Sequence, residues 1–75
     1  MNGGGEWEVA LFLSVHHALR AEKLLKKAEI PCKLIPVPRH LSTDCGVCLR
    51  FAPALRQRIE MVLVGRVEID AVRPL

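Results

Sequence analysis

The sequence predicts an α+β domain in which two helices cover one face of a four-stranded antiparallel sheet. Three observations favour this class. Four segments alternate apolar and polar residues, two segments carry apolar residues at helical spacing, and Pro or Gly separates them. The 75 residues suffice for one domain with a small core. We expect residues 1–5, which contain three consecutive glycines, to form a flexible tail, and residues 6–75 to form the single domain.

The first half of the domain predicts a strand followed by a helix. Residues 6–13 alternate as β1, with Phe12 on the outward side. The β1 residues predicted to face the core are Trp7, Val9, Leu11 and Leu13. Ser14 is a suitable N-cap for α1 at about 15–29, and Pro31 ends that helix because proline cannot continue it. The apolar positions of α1 are Val15, Ala18, Leu19, Ala21, Leu25 and Ala28.

The second half predicts two strands, a helix and a final strand. Residues 32–37 form β2, and its prolines indicate an edge strand, since proline cannot donate to a ladder. A polar loop, residues 39–46, leads to β3 at 47–51. Helix α2 follows from Pro53 and stops at Gly65, before β4 at residues 66–72. The residues of β3 and β4 predicted to face inward are Val47, Leu49, Phe51, Val67, Ile69 and Ala71.

The order of elements is therefore β-α-β-β-α-β, the arrangement of ferredoxin-like folds. Right-handed crossovers place both helices on one face and predict the strand order 4-1-3-2. The predicted core comprises Val9, Leu11, Leu19, Leu25, Leu34, Leu49, Ile59, Leu63 and Ile69. Because this fold class serves many functions, the function must be argued from individual residues.

Composition excludes several kinds of partner. The net charge of +3 comes from interspersed charges, and the chain has one Trp, two Phe and no Tyr, so we expect no nucleic-acid partner. No apolar run approaches the roughly 20 residues of a membrane span, and no basic residue precedes an apolar run at the N-terminus. With an odd number of cysteines as well, we expect a cytoplasmic protein without a disulfide framework or a membrane partner.

The loop between β2 and β3 contains the most distinctive cysteine. Cys45 directly precedes Gly46, which leaves its thiol uncrowded and lets the backbone turn sharply. Arg39 and His40 lie earlier in the same loop, and positive neighbours favour the nucleophilic thiolate, although Asp44 opposes them. These features predict that Cys45 is the most reactive thiol of the chain.

Cys45 and Cys48 also form a Cys-x-x-Cys sequence. In an extended chain their Cα atoms lie about 10 Å apart, so they could share a metal or a disulfide only if Gly46 turns the backbone. We expect no metal site, because a second pair of ligands is missing, and keep Cys48 as a candidate second thiol. Cys32 faces the core in this register and is predicted to react more slowly than Cys48.

Several short sequences together resemble a known family. They are Ser14–Leu19, Ala21–Leu25, Leu34–Arg39, Cys45-Gly46 and Leu49–Phe51. Over residues 7–72 they resemble the selenium/sulfur-carrier-like family of small bacterial proteins, and Pro-x-Pro-Arg followed by Cys-Gly is the most specific part. The resemblance implies that Cys45 carries sulfur or selenium, as a persulfide or selenopersulfide, between a protein donor and a protein acceptor. We expect no cofactor, and we expect a carrier or accessory protein more than an enzyme.

Two alternatives use other parts of the chain. A non-catalytic interaction or regulatory module would use the open sheet face, where Phe12, Ile35 and Val37 predict an apolar patch. A metal or redox site would use Cys45 and Cys48. We also expect a monomer or a weak homodimer, formed through β4 or the open face around Phe12. His16 and His17 begin α1 and receive no assigned role.

Overall fold

A computed structural model describes residues 6–41 and 46–75, so the predicted tail at 1–5 lies outside the described residues. The elements are β1 (Glu8–Leu11), α1 (Val15–Lys27), β2 (Lys33–Pro36), β3 (Val47–Phe51), α2 (Arg56–Leu63) and β4 (Ala71–Pro74), with a 3-10 turn at Pro53–Leu55. All paired strands are antiparallel, in the order β2-β3-β1-β4 across the sheet. The predicted order 4-1-3-2 describes the same sequence of strands counted from the β4 edge. The chain is an α+β protein with β2 at an edge of its sheet.

The ends of the helices follow local capping chemistry. The Ser14 Oγ accepts a hydrogen bond from the His17 backbone N–H at 3.3 Å, which makes Ser14 the N-cap of α1. Glu29 has a positive φ of 61°, so α1 ends at Lys27, two residues before the expected boundary. Helix α2 ends just before Gly65, whose φ of 76° suits glycine best.

Both helices pack on the same face of the sheet, which we call the helix face. The buried residues there, the helix-face core, are Ala10, Phe12, Ala18, Ala21, Leu25, Ile30, Leu49, Phe51, Ile59, Leu63 and Val67. Leu34 and Ile69 pack against this core, as predicted. The prediction for Leu19 was wrong: its side chain is 45% exposed, because α1 presents its alanines to the sheet.

The first strand faces the opposite way from the prediction. Phe12, expected on the outward side, is 0% exposed within the helix-face core, whereas Val9 and Leu11 lie on the other face of the sheet. Strand β1 and the residue after it bury apolar side chains on both sides, Ala10 and Phe12 towards the helices and Val9 and Leu11 on the opposite face. Alternation alone therefore could not assign the faces, and a shift of one residue inverts the whole strand. Leu13, predicted inward, is exposed.

The last strand begins later than predicted. It starts at Ala71 instead of residue 66, because the N–H groups of residues 66 and 67 donate to the Leu63 carbonyl and complete the end of α2. Val67 and Ile69 still pack on the helix-face core, as expected. Ala71 was expected inward, but it is paired with Leu11 on the face opposite the helices.

Candidate functional site

The β2–β3 loop is closed at its base by the backbone. The Val37 N–H donates to the Gly46 carbonyl at 3.1 Å, which extends the ladder one step beyond the Pro36–Val47 pair. Gly46 is exposed and has a φ of 84°, and a Cβ there would meet nothing within 4 Å. Its backbone conformation, rather than lack of space, therefore favours glycine. Cys45, which precedes Gly46 in the chain, lies outside the described residues.

The first part of this loop is a tight turn that presents two of the predicted site residues. The Leu41 N–H donates to the Pro38 carbonyl at 3.0 Å, so Arg39 and His40 occupy the two central positions of the turn. Both residues are exposed. Neither takes part in an ion pair with any residue in 6–41 or 46–75. Their side chains are therefore accessible to a molecule that approaches the loop.

The residue after the turn returns to the sheet. Leu41 packs, with Ile35, Val37 and Ala71, against three buried residues on the face opposite the helices. We call these three, Val9, Leu11 and Cys48, the open-face cluster. The loop is thus attached to the sheet twice, by the backbone bond at its base and by the apolar contact of Leu41.

Cys48 lies on the outward face of β3, as predicted, but it is not accessible. Its side chain is 0% exposed, between the cross-strand partners Leu11 and Ile35. The sequence placed Cys48 ahead of Cys32 in reactivity. Burial of this degree favours the reverse order for reagents in solution, since Cys32 is only half-buried. A role for Cys48 as a second thiol would require this part of the open-face cluster to open.

Cys32 immediately precedes β2 and packs against the helix-face core, in agreement with its predicted orientation. Burial raises the pKa of its thiol, and the nearby Glu22 carboxylate raises this pKa further, whereas Lys26 lowers it. The protonated thiol, which is a poor nucleophile, is therefore favoured at neutral pH. The comparison of Cys32 with Cys45 stays a prediction, because Cys45 lies outside the described residues.

One of the two histidines at the start of α1, His17, has a structural explanation. The Ser14 Oγ lies 2.6 Å from the His17 Nδ1 and also accepts the His17 backbone N–H, so His17 is part of the helix cap. His16 is exposed.

Within the described residues, no three or more His, Cys, Asp or Glu side chains are close enough to hold a metal ion together. The same part of the chain contains no helix long and apolar enough to cross a membrane.

Sequence reasoning missed one pair of residues. The guanidinium carbon of Arg50 lies 4.2 Å from the centre of the Trp7 ring, a cation–π contact on the open face. The outward position of Arg50 was predicted, but Trp7 was assigned to the core with the rest of β1. A correct orientation of β1 would have placed the two side chains together.

One known protein family matches most of this chain. The family described as "Putative Se/S carrier protein-like" matches residues 8–72. The chain belongs to this family. The match runs from the first residue of β1 into β4 and includes the β2–β3 loop, which confirms the resemblance found in the sequence. Neither the curated proteins nor the solved structures contained a match.

Proposed function

We propose that this member of the Se/S-carrier-like family carries sulfur or selenium on Cys45 between partner proteins. The observation that carries the proposal is the family match over residues 8–72, which includes the Cys45 loop. Burial of the other two cysteines supports the choice of Cys45, since Cys48 is inaccessible and Cys32 has a raised pKa. The order of strands and helices supports our assignment to the ferredoxin-like class, and we expect a cytoplasmic monomer or weak dimer without a cofactor.

The proposed transfer is an exchange between sulfur atoms. The Cys45 thiolate attacks the outer sulfur of a donor persulfide, R–S–SH. A new S–S bond forms on Cys45, the old S–S bond of the donor breaks, and the donor leaves as the thiolate R–S⁻. Attack by an acceptor thiolate on the outer sulfur of Cys45–S–SH then restores Cys45 as a thiolate. Replacement of the outer sulfur by selenium gives the same balance, and neither step consumes an oxidant or a reductant.

The described part of the loop supports this chemistry. Arg39 and His40 are exposed on the turn that precedes Cys45, where positive charge would favour both the thiolate and the persulfide anion. A macromolecular donor could approach an exposed loop without a deep substrate cavity. The two described ends of the loop are attached to the sheet, by the backbone bond at Gly46 and by the apolar contact of Leu41.

Intact-mass spectrometry tests the proposal. The full-length protein is purified gently from its native host, and a second sample is incubated with glutathione persulfide. We expect a cyanide-labile gain of one sulfur or one selenium atom that maps to Cys45. Cys45→Ser should abolish the gain, and the matched variant Cys32→Ser should retain it. A gain that maps to Cys32 or Cys48, or no transfer from glutathione persulfide, would refute the proposal.

The contribution of the loop cation Arg39 can be measured separately. In Arg39→Gln, alkylation of Cys45 by iodoacetamide should be slower than in the wild type at neutral pH, because the thiolate loses a favourable charge. The difference should vanish at strongly alkaline pH, where the thiol is ionised in every variant. Arg58→Gln, an exposed position in α2, is the control and should leave the rate unchanged. A rate difference that persists at alkaline pH would indicate an effect on access instead.

A further inference from the structure

A cavity lies away from the β2–β3 loop, where the chain enters β2 and leaves β3. Its volume is about 320 Å³, and its walls include Trp7, Cys32, Lys33, Arg50, Phe51 and Leu55. Lys33 and Arg50 pair across the two strands three residues away from the Pro36–Val47 pair at the loop, a separation of about 10 Å along the strands. The cavity is therefore distinct from the site of the proposed carrier chemistry.

Two cations line the cavity, and neither forms an ion pair with a described residue. Lys33 and Arg50 are directly opposite each other on neighbouring strands, an arrangement that is unfavourable for like charges. The ion pairs formed within the described part of the chain, Lys26–Glu22 and Arg56–Glu60, include neither residue. The Arg50 Nε is buried and has no hydrogen-bond acceptor among the described residues. A guanidinium that has lost water on one side gains from an anionic partner on the other.

The remaining walls define what such an anion could be. The Arg50 guanidinium carbon lies 4.2 Å from the centre of the Trp7 ring, and the half-buried Leu55 adds apolar surface. A guanidinium matches the planar geometry of a carboxylate, to which it can donate two parallel hydrogen bonds. The volume lies at the lower end of the range of about 300–1,000 Å³ that is usual for ligand sites.

We propose that this cavity binds a small organic carboxylate, with the carboxylate between Lys33 and Arg50 and a short apolar chain against Leu55. This binding does not depend on the carrier function of Cys45. Because the Cys32 thiol lines the same cavity, a bound ligand also shields it.

The fluorescence of the single tryptophan of the chain provides the test, because Trp7 lies in the cavity wall. The full-length protein is titrated with hexanoate, which combines one carboxylate with an apolar chain. We expect a saturable change in emission and slower alkylation of Cys32 at saturation. Hexanamide, the neutral analogue, should produce neither effect. Equal responses to hexanamide or to inorganic phosphate, or unchanged labelling of Cys32, would overturn the proposal.

Variants assign the response to the two cations. Arg50→Met should weaken hexanoate binding by about tenfold or more, the usual effect of losing a hydrogen bond to a charged group, and Lys33→Met should weaken it less. Arg73→Met is the matched control and should bind as the wild type does. Arg73 lies on the same face, beyond Val9 from Arg50, and does not line the cavity.

Circular dichroism checks that each variant is folded. Lys33→Met, at an exposed position, carries the test if Arg50→Met does not fold. Wild-type affinity in a folded Lys33→Met variant, or equal weakening by Arg73→Met, would refute the assignment.

Discussion

The two faces of the sheet are buried by different means. The helix face is covered by two helices and contains both phenylalanines of the chain, whereas the open-face cluster has three buried residues covered in part by Leu41 of the β2–β3 loop. The difference separates the main apolar core from the part of the sheet that holds the β2–β3 loop. Most of the apolar burial lies under the helices, and the smaller cluster connects the sheet to the loop that contains Cys45.

The largest effect is expected on the helix face. Phe51→Ala should lower the free energy of unfolding by about 3–5 kcal/mol, because it removes a buried ring and leaves a cavity. That loss approaches the total stability of a small domain. Urea denaturation monitored by circular dichroism measures it. Leu19→Ala, at an exposed position of α1, is the control and should change stability little. A loss below about 1 kcal/mol for Phe51→Ala would show that the helices do not dominate stability.

The orientation of each strand could be predicted only where its two sides differ in polarity. In β3, Arg50 marks the outward side and Leu49 and Phe51 the inward side, so the orientation was correct. In β1, Ala10 and Phe12 on one side and Val9 and Leu11 on the other are all apolar, and the orientation was wrong. Because both sides of β1 carry apolar residues, its sequence contains little information about which side meets the helices.

The candidate site could also be predicted only in part from the sequence. Proline, glycine and polar residues were sufficient to place a loop before β3, because they favour turns and exclude regular pairing. The return of Leu41 to the open-face cluster and the contact of Trp7 with Arg50 depend on packing between distant segments. No local pattern encodes these contacts. Prediction of the contact between Trp7 and Arg50 also required the correct orientation of β1.

Loss of the loop contact on the open face should have an intermediate effect. Leu41→Ala should lower the free energy of unfolding by about 1–2 kcal/mol, since the side chain is only half-buried. It should also expose Cys48, so that the rate of Cys48 alkylation rises relative to that of Cys32. Peptide mapping after timed labelling gives both rates.

Leu34→Ala is the matched control for this comparison, because Leu34 is equally half-buried but packs on the helix-face core. It should destabilise the protein by a similar amount without raising the ratio of Cys48 to Cys32 labelling. If both variants raise this ratio equally, Cys48 becomes accessible by global unfolding, and Leu41 does not specifically cover the open-face cluster.

The two glycines with positive φ permit a comparison of the loop with a helix end. Gly46 has a φ of 84° and Gly65 a φ of 76°, and a Cβ would have open space at both positions. Alanine at either position should therefore cost about 1 kcal/mol, from backbone strain alone. Equal losses in urea denaturation would show that the loop base is as firmly fixed as the end of α2. An unchanged stability for Gly46→Ala would show instead that the loop can relax to another backbone conformation.

The smallest expected effect concerns the thiol on the helix side. Burial and, to a lesser extent, the Glu22 carboxylate raise the pKa of Cys32 in the folded protein. The corresponding contribution to stability is present below the pKa of the unfolded chain and is lost as the pH rises through the raised pKa of the folded state. Glu22→Gln removes one cause and frees Lys26, which lowers this pKa, from its ion pair with Glu22. Alkylation of Cys32 should therefore reach its half-maximal rate at a lower pH.

Glu60→Gln breaks the ion pair with Arg56 in α2 and should leave the pH profile of Cys32 unchanged. Because burial is the larger cause and remains in Glu22→Gln, the pKa should stay above that of an unfolded cysteine. A return to the unfolded value would show that charge, and not the covering of Cys32 by the helix-face core, controls this thiol.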